Sequence, residues 1–343
     1  MINDLQNIVN PLLEWFAENK SDFSWRKDRL PYHVWISEIM LQQTRIEAVK
    51  RYYTRFISEL PDIRSLSEVS DEKLLKLWEG LGYYSRARNL KKSAQTIMQS
   101  YNGVFPNTYS EIIKLSGIGE YTAGAIASIC FNEKVTAVDG NVLRVVARLC
   151  GSKENVLLPE VKKDTQEKLQ KILPEQSGNF NEALMELGEK ICVAKGTPLC
   201  QKCPLRDYCT AFKDNLTAEI PVRIKPLKRK KEEKTIFLLT DLQGNIAVEK
   251  RPQNGLLSGM YQFPNTENFH TTEQLQQILT ERQISFTKIT FQKNAKHIFT
   301  HIEWHMKSYV VTVKEQSKNF LWVSKAELSE KYPLPTAFRQ FLV

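Results

Sequence analysis

The sequence predicts a multidomain protein, all-helical over about its first 216 residues and α+β from about residue 235 onward. Three observations carry this. Apolar residues recur at helical spacing through the first part. Apolar and polar residues alternate in short runs after residue 235. Between them, AEIPVRIKPLKRKKEEK is rich in proline and cations and lacks apolar periodicity, which marks a linker.

A length of 343 residues accommodates two or three domains with a sizeable core. Lys+Arg number 48 against 39 Asp+Glu, and the net charge of +9 favours a polyanionic partner, although many basic proteins merely stay soluble this way. The N-terminal stretch carries acids and lacks the basic-then-apolar order of a secretory signal. No apolar run is long enough to span a bilayer. A cytoplasmic protein without membrane contact is expected, in a compartment where disulfides are uncommon.

Taken in order, Leu5, Ile8, Val9, Leu12, Leu13 and Phe16 form a core-facing stripe on a first helix. Phe23-Ser24-Trp25-Arg26 follows, then Leu30-Pro31-Tyr32 leads into VWISEIMLQQT, where Trp35, Ile36, Ile39 and Met40 make an apolar face. Glu38 sits among them and, by i, i+4, i+7 spacing, shares a helix side with Gln42 and Arg45. The commoner fate of such a glutamate is a local surface pair. Against it, an apolar surround raises a carboxyl pKa, as a proton donor requires. Two further helices meet at Gly80-Leu81-Gly82, followed by Tyr83, Tyr84, Arg86, Arg88, Lys91 and Lys92. Aromatic residues beside clustered cations suit nucleic acid, and they equally suit a solvated basic face with packed tyrosines.

The organising stretch is LSGIGEYTAGAIASICFNEKVTAVDGNVLR, Leu115 to Arg144. Gly117 and Gly119 permit a sharp turn and a close approach of backbone amides to an anion. The small, apolar segment Tyr121–Cys130 reads as a buried helix whose N-terminus faces that turn, a ready phosphate site. A bare GxG is more often a structural turn. Here the apolar run Val135–Val138 then delivers Asp139 to the start of another helix, placing a carboxylate a short distance along the chain from the phosphate anchor.

Of six cysteines, Cys130 and Cys150 stand alone in apolar surroundings and read as packing residues. Cys192, Cys200, Cys203 and Cys209 crowd into one segment and can bind Zn²⁺ or a [4Fe–4S] cluster, between which spacing does not choose. Past the linker, TIFLLTDLQGNIAVEKRP reads as two strands around Gln243-Gly244-Asn245, with a helix near Thr272–Arg282. His297, His301 and His305 would look like metal ligands on a helix, but the surrounding alternation is that of a strand.

Taken together, SEIMLQQT, GLGYYSRARNL, LSGIGEYTAGAI, VDGNV and the cysteine segment resemble the MutY-type adenine DNA glycosylases of the endonuclease III superfamily, over almost the whole chain. The resemblance implies an all-α helix-hairpin-helix core, an iron–sulfur helical domain and a C-terminal α+β Nudix-like domain. It assigns residues 27–135 to the six-helix domain, 1–26 with 136–216 to the cluster domain, 217–234 to a basic interdomain linker and 235–343 to 8-oxoguanine recognition. The implied partner is double-stranded DNA holding an adenine:8-oxoguanine mispair, met by a monomer that flips the adenine and cuts its N-glycosidic bond.

By the same resemblance Glu38 protonates the leaving adenine and Asp139 stabilises the oxocarbenium-like sugar, a division parallel to glycoside hydrolysis. Tyr121 stands where endonuclease III carries a Schiff-base lysine, so strand cleavage should be weak or absent. Gln43 and Tyr83 match residues that wedge into the duplex around 8-oxoguanine, with Arg86 and the hairpin glycines Gly117 and Gly119 among the DNA contacts. Trp25, Arg26 and Glu182 match the adenine pocket, Phe299-Thr300-His301 the loop touching 8-oxoguanine, and the four clustered cysteines the ligands of one [4Fe–4S] cluster. The chain departs from the family pattern at Ser116, where proline is usual, at Thr300 in place of serine, and in the seven residues between Cys192 and Cys200, where six are commoner. The C-terminal domain lacks the Arg and Glu cluster of Nudix hydrolases and should bind rather than hydrolyse. Two competing readings are weaker: Tyr121 and the C-terminal domain argue against a pyrimidine-damage lyase, and the pair Glu38 and Asp139 argues against a binding protein without chemistry.

Overall fold

The computed structural model describes residues 5–224 and 229–342; residues 225–228 of the expected linker lie outside the described residues. Its helices run α1 (Val9–Asn19), α2 (Pro31–Leu41), α3 (Ile46–Glu59), α4 (Ile63–Glu68), α5 (Asp71–Leu77), α6 (Ser85–Ser100), α7 (Tyr109–Ile112) and α8 (Glu120–Phe131). They continue as α9 (Gly140–Cys150), α10 (Pro159–Gln170), α11 (Ser177–Lys190) and α12 (Thr210–Lys213). The chain packs as two compact units, which group residues 5–68 with 89–224 and residues 69–88 with 229–342. Among the described residues no helix is long and apolar enough to cross a membrane.

In the first unit α8 is the central element. All residues from Thr122 to Ile129 are buried, as its small, apolar composition requires. It packs against α2 and α11. A Cβ on Gly178 of α11 would come 2.5 Å from the Ser128 carbonyl, so glycine lets the two helices approach. The apolar stripe of the N-terminus is used as its spacing predicts. Ile8, Val9, Leu12 and Phe16 join Val142, Val145, Leu149, Phe180, Leu184 and Leu187 in one core, with Cys192, Cys203 and Cys209 packed on its edge.

Helix α2 ends earlier than the sequence suggests. Gln42 is its C-cap and Gln43 takes a left-handed φ of 56°, so Gln42 and Arg45 leave the helix side of Glu38. Thr44 N–H donates to the Leu41 carbonyl at 3.2 Å, and Arg45 then opens α3 by accepting from Ala48 and Val49.

The second unit is built on a mixed sheet of β1 (Lys230–Thr240), β2 (Ile246–Lys250), β3 (Tyr261–Gln262), β4 (Asn265–Glu267), β5 (Phe286–Ile298), β6 (Ile302–Val313) and β7 (Leu321–Val323). The order is β3-β2-β1-β6-β5, with β4 on β1 and β7 on β2. The turn at Gly244 (φ 83°) joins β1 to β2 as expected. Helix α13 (Thr272–Glu281) starts with a capping box between Thr271 and Gln274; α14 (Lys325–Glu330) and α15 (Thr336–Arg339) follow. Strand β1 begins at Lys230, inside the stretch read as linker. Its charged start pairs in parallel with residues 302–306, and a charge run gives no local sign of that partner. The upstream part of the same stretch is also packed: Ile220 is buried against Val156 and Ala147. His297 lies on β5, His305 on β6 and His301 in the turn between them, in keeping with the strand pattern.

Candidate active site

One cleft of the first unit, about 670 Å³, gathers residues from distant parts of the chain: Trp25, Arg26, Glu38, Gln43, Tyr121, Asp139 and Glu182 all line it. Glu38 projects from α2 and is 8% exposed. The Tyr121 hydroxyl, from the first turn of α8, donates to Glu38 Oε2 at 2.6 Å, and Met185 Sδ lies 3.4 Å from the same hydroxyl. Burial pushes the Glu38 carboxyl up to about 7; the Tyr121 bond and the Arg26 charge pull it down, while Glu182 and Asp139 add to the rise. Burial, followed by the charges of Glu38 and Asp139, holds the Tyr121 phenol well above its ordinary value, so it remains a neutral donor.

Asp139 is the N-cap of α9. Its Oδ1 accepts from the backbone N–H groups of Asn141 and Val142, both at 2.8 Å, and its Oδ2 from Asn141 Nδ2 at 2.8 Å. Burial raises this carboxyl, and the three bonds with the helix N-terminus favour its ionised form. Arg144, one turn on, clamps the turn: Nη2 donates to Asn141 Oδ1 at 2.8 Å and to the Gly188 carbonyl at 2.7 Å. Its Nε donates to the Cys192 carbonyl at 2.7 Å, linking the Asp139 turn to the cysteine segment.

On another wall Arg26 Nε pairs with Glu182 Oε1 at 2.8 Å and Nη1 with Glu186 Oε2 at 2.5 Å; Arg29 Nη2 meets Glu182 Oε2 at 2.9 Å. Trp25 is buried, stacked on Phe23 at 4.8 Å and edge-on to Tyr53 at 5.3 Å. Glu186, Arg29, Asn141 and Arg144 escaped the sequence reading. Glu186 carried a signal, lying i+4 from Glu182 on the same helix face. The Asn141 and Arg144 contacts follow from the cap geometry of Asp139 and had none.

The hairpin before α8 has the expected form. Gly117 has a φ of 77°, and a Cβ there would come 2.6 Å from Asn89 Cβ, so only glycine fits. Gly119 is the α8 N-cap, and a Cβ there would meet open space. The first amides of α8 have no intrahelical acceptor, the arrangement that binds phosphate. Ser116, in place of proline, donates its hydroxyl to Asn89 Oδ1 at 3.3 Å, and its carbonyl accepts from Ser93 Oγ at 2.9 Å.

A second cavity, about 510 Å³, belongs to the second unit. The turn Gly80–Tyr84 forms one wall, the loop His297–Ile302 another, and Leu256, Leu257, Pro335 and Thr336 the rest. Tyr83 is 45% exposed with a φ of 48°, and its hydroxyl lies 3.2 Å from Thr300 Oγ1. Phe299 packs edge-on between His297 (4.6 Å) and Trp304 (4.8 Å), and His301 completes the loop wall. Gln43 and Tyr83, the two residues expected to wedge, are thus both non-glycine residues in left-handed backbone, a strain of roughly 1 kcal/mol or more each that accumulates at functional sites. Arg86 is buried over the rings of Trp78 (5.3 Å) and Tyr83 (5.5 Å), and it donates to the Leu81 and Gly82 carbonyls. It supports the turn that carries Tyr83.

Cys192, Cys200, Cys203 and Cys209 line one small cavity with Arg148. Arg148 Nη1 donates to Cys192 Sγ at 3.2 Å. The long spacing after Cys192 is taken up by a bend through Gly196 (φ 77°), closed by Leu199 N–H on the Ile191 carbonyl at 2.9 Å. Among the described residues no group of three or more His, Cys, Asp or Glu side chains is placed to hold a single metal ion. Four thiols on one cavity, with a guanidinium to offset their charge as thiolates, form a donor set that suits an iron–sulfur cluster.

Comparison with known proteins fits this geometry. Residues 36–175 match the HhH-GPD superfamily of base excision DNA repair proteins, and residues 235–343 match the NUDIX domain. The chain is 35% identical over 312 residues to an adenine DNA glycosylase of Buchnera aphidicola subsp. Baizongia pistaciae (strain Bp), covering 89% of this chain and 86% of that protein. It is 38% identical over 306 residues to an adenine DNA glycosylase of Arabidopsis thaliana, covering 77% of this chain and 48% of that protein, so it spans about half of that relative. Its fold is similar to endonuclease III in a non-covalent complex with DNA, with a TM-score of 0.53 at 25% identity over 62% of this chain and 96% of that one. With these matches over most of its length, the chain belongs to the adenine DNA glycosylase family of helix-hairpin-helix base excision repair proteins.

Proposed function

We propose that this protein removes adenine paired with 8-oxoguanine from duplex DNA, by acid-assisted hydrolysis of the N-glycosidic bond and without cutting the strand. The observation that carries the reading is the buried Glu38 carboxyl, raised to about 7 and held by the Tyr121 hydroxyl at 2.6 Å. A general acid is most effective when its pKa lies near the working pH.

The adenine must leave the stack to reach such a cleft. Arg26 and Glu182, already paired, present charged hydrogen-bonding groups at the wall where Trp25 packs. Glu38 gives its proton to a ring nitrogen of adenine, and the bond from that base to C1′ breaks with its electron pair leaving on adenine. The Asp139 carboxylate, fixed by three hydrogen bonds, faces the cationic sugar. Water adds its oxygen to C1′ and loses a proton to a carboxylate of the cleft. Tyr121 offers a neutral phenol and no amine, so no imine forms and the abasic strand stays intact.

The cavity bearing Tyr83, Phe299, Thr300 and His301 would receive the 8-oxoguanine. Two neighbouring hydroxyls can each donate or accept, which suits a purine whose N7 has become a donor and whose C8 carries an oxygen. Gly117, Gly119 and the start of α8 would hold a backbone phosphate, and Gln43 and Tyr83 would enter the duplex. Cys192, Cys200, Cys203 and Cys209 would hold one [4Fe–4S] cluster, a covalent staple for a segment with little regular structure. In domain terms, the hairpin region would read the backbone, α1 with the residues after Asp139 would carry the cluster, and the C-terminal domain would read the lesion. The test is a duplex with adenine opposite 8-oxoguanine, incubated with the protein and analysed with and without alkali. Breaks at the adenine that need alkali are expected; breaks without alkali, or none, contradict the proposal.

A further inference from the structure

The recognition cavity of the second unit has walls from widely separated parts of the chain, and one buried carboxylate ties two of them together. Helix α5 is capped by Ser70, whose side chain accepts from Lys73 N–H, and it ends at Trp78. Glu79 comes next, immediately before Gly80 (φ 102°), Gly82 (φ 72°) and Tyr83 (φ 48°), the turn that forms one wall. The Glu79 side chain is 8% exposed. Its Oε1 accepts from Leu334 N–H at 2.8 Å and pairs with Arg339, and its Oε2 pairs with Lys76 Nζ at 2.8 Å. Leu334 is itself buried, and the Pro333 carbonyl before it accepts from Tyr261 N–H of β3 at 3.0 Å. The next two residues, Pro335 and Thr336, line the cavity.

We propose that Glu79 is a positioning residue for lesion recognition: it fixes the Pro335–Thr336 wall against the Gly80–Tyr83 wall, and so sets the cavity in which Tyr83 and Thr300 meet. The proposal rests on the reading of that cavity as the 8-oxoguanine site. The Leu334 amide and the Arg339 guanidinium converge on one buried carboxylate, so removing it leaves a buried donor unpaired and a cation without its partner. Glu79 is not among the residues that line the cleft of the first unit, so the chemical step at Glu38 is left intact.

The test compares single-turnover excision of adenine opposite 8-oxoguanine and opposite guanine in the full-length protein. Wild type, Glu79→Ala, Glu79→Gln and Arg339→Ala are each measured, with amide hydrogen exchange at Tyr332, Leu334 and Thr336. Glu79→Ala should lower the preference for 8-oxoguanine about tenfold while the rate opposite guanine holds. Glu79→Gln keeps an acceptor for Leu334 and should restore part of that preference, and Arg339→Ala should lower it less than Glu79→Ala. A preference unchanged in Glu79→Ala overturns the proposal, and so does an equal loss of both rates, which marks general destabilisation. If the wild type itself shows no preference, the 8-oxoguanine reading fails. Glu79 is then judged by exchange: faster exchange at Leu334 and Thr336 in Glu79→Ala supports its positioning role, and unchanged exchange removes it.

Discussion

The cleft of the first unit and the cavity of the second are lined by opposite kinds of chemistry. In the cleft, Glu38, Glu182 and Glu186 are buried and Asp139 half-buried, and they are held by Tyr121, Asn141, Arg26 and Arg29. The cavity places a phenol, a threonine hydroxyl, a phenylalanine and two histidines around open space, with Arg88 also on its wall and no carboxylate among its described lining residues. Ionisable groups buried at fixed geometry cost stability and return reactivity, whereas neutral donors and acceptors discriminate a hydrogen-bonding pattern at little electrostatic cost. On the proposed function, bond breaking and reading of the opposite base fall to different sites of this chain, and substitutions should separate them.

The largest expected effect breaks the cleft alone. Glu38→Gln keeps the shape and loses the proton, so single-turnover excision should fall about a thousandfold with DNA affinity retained. Asp139→Asn should cost roughly a hundredfold; asparagine still caps α9, so the loss reports the charge rather than the fold. Circular dichroism showing an intact helix content in that variant would secure the distinction.

The pH dependence sharpens the contrast. With Glu38 titrating near 7, excision should be level below that pH and fall about tenfold per unit above it. The same shift has a stability sign. Below pH 4.5 the group is neutral folded or unfolded and costs nothing. Between 4.5 and about 7 the unfolded chain gains by ionising while the folded one does not, and about 3 kcal/mol is lost by pH 8. Glu38→Gln should therefore raise Tm at pH 8 and leave it unchanged at pH 4. Equal Tm values at both pH values would contradict a buried, raised carboxyl.

Smaller effects belong to the cavity. Phe299→Ala or His301→Ala should reduce discrimination between 8-oxoguanine and guanine by about tenfold, with excision opposite guanine unchanged. Thr300→Ser should change either rate by no more than about threefold, since the hydroxyl partner of Tyr83 is kept.

Much of this was legible in the sequence because it is written locally. A glycine pair before a small, apolar helix, an aspartate ahead of Gly140-Asn141 and alternating strands each declare themselves within a few residues. What stayed hidden depends on long-range partners or on one backbone angle. The left-handed Gln43 ended α2 and moved Gln42 and Arg45 off the helix side of Glu38. The charged start of β1 gave no hint of its pairing with β6. Glu79 reads as a surface acid until Leu334 and Arg339 arrive from the far end of the chain. Arg144 reads as one more helix cation until its bonds to Asn141 and Cys192 are seen.

The most direct measurement is single-turnover excision by Glu38→Gln beside wild type, on a duplex with adenine opposite 8-oxoguanine, with binding of the same duplex measured in parallel. Excision lost while binding stays within about threefold of wild type is the result expected of an acid that acts only in the chemical step. Excision at the wild-type rate would contradict it, and the proton donor would have to be sought elsewhere in the cleft.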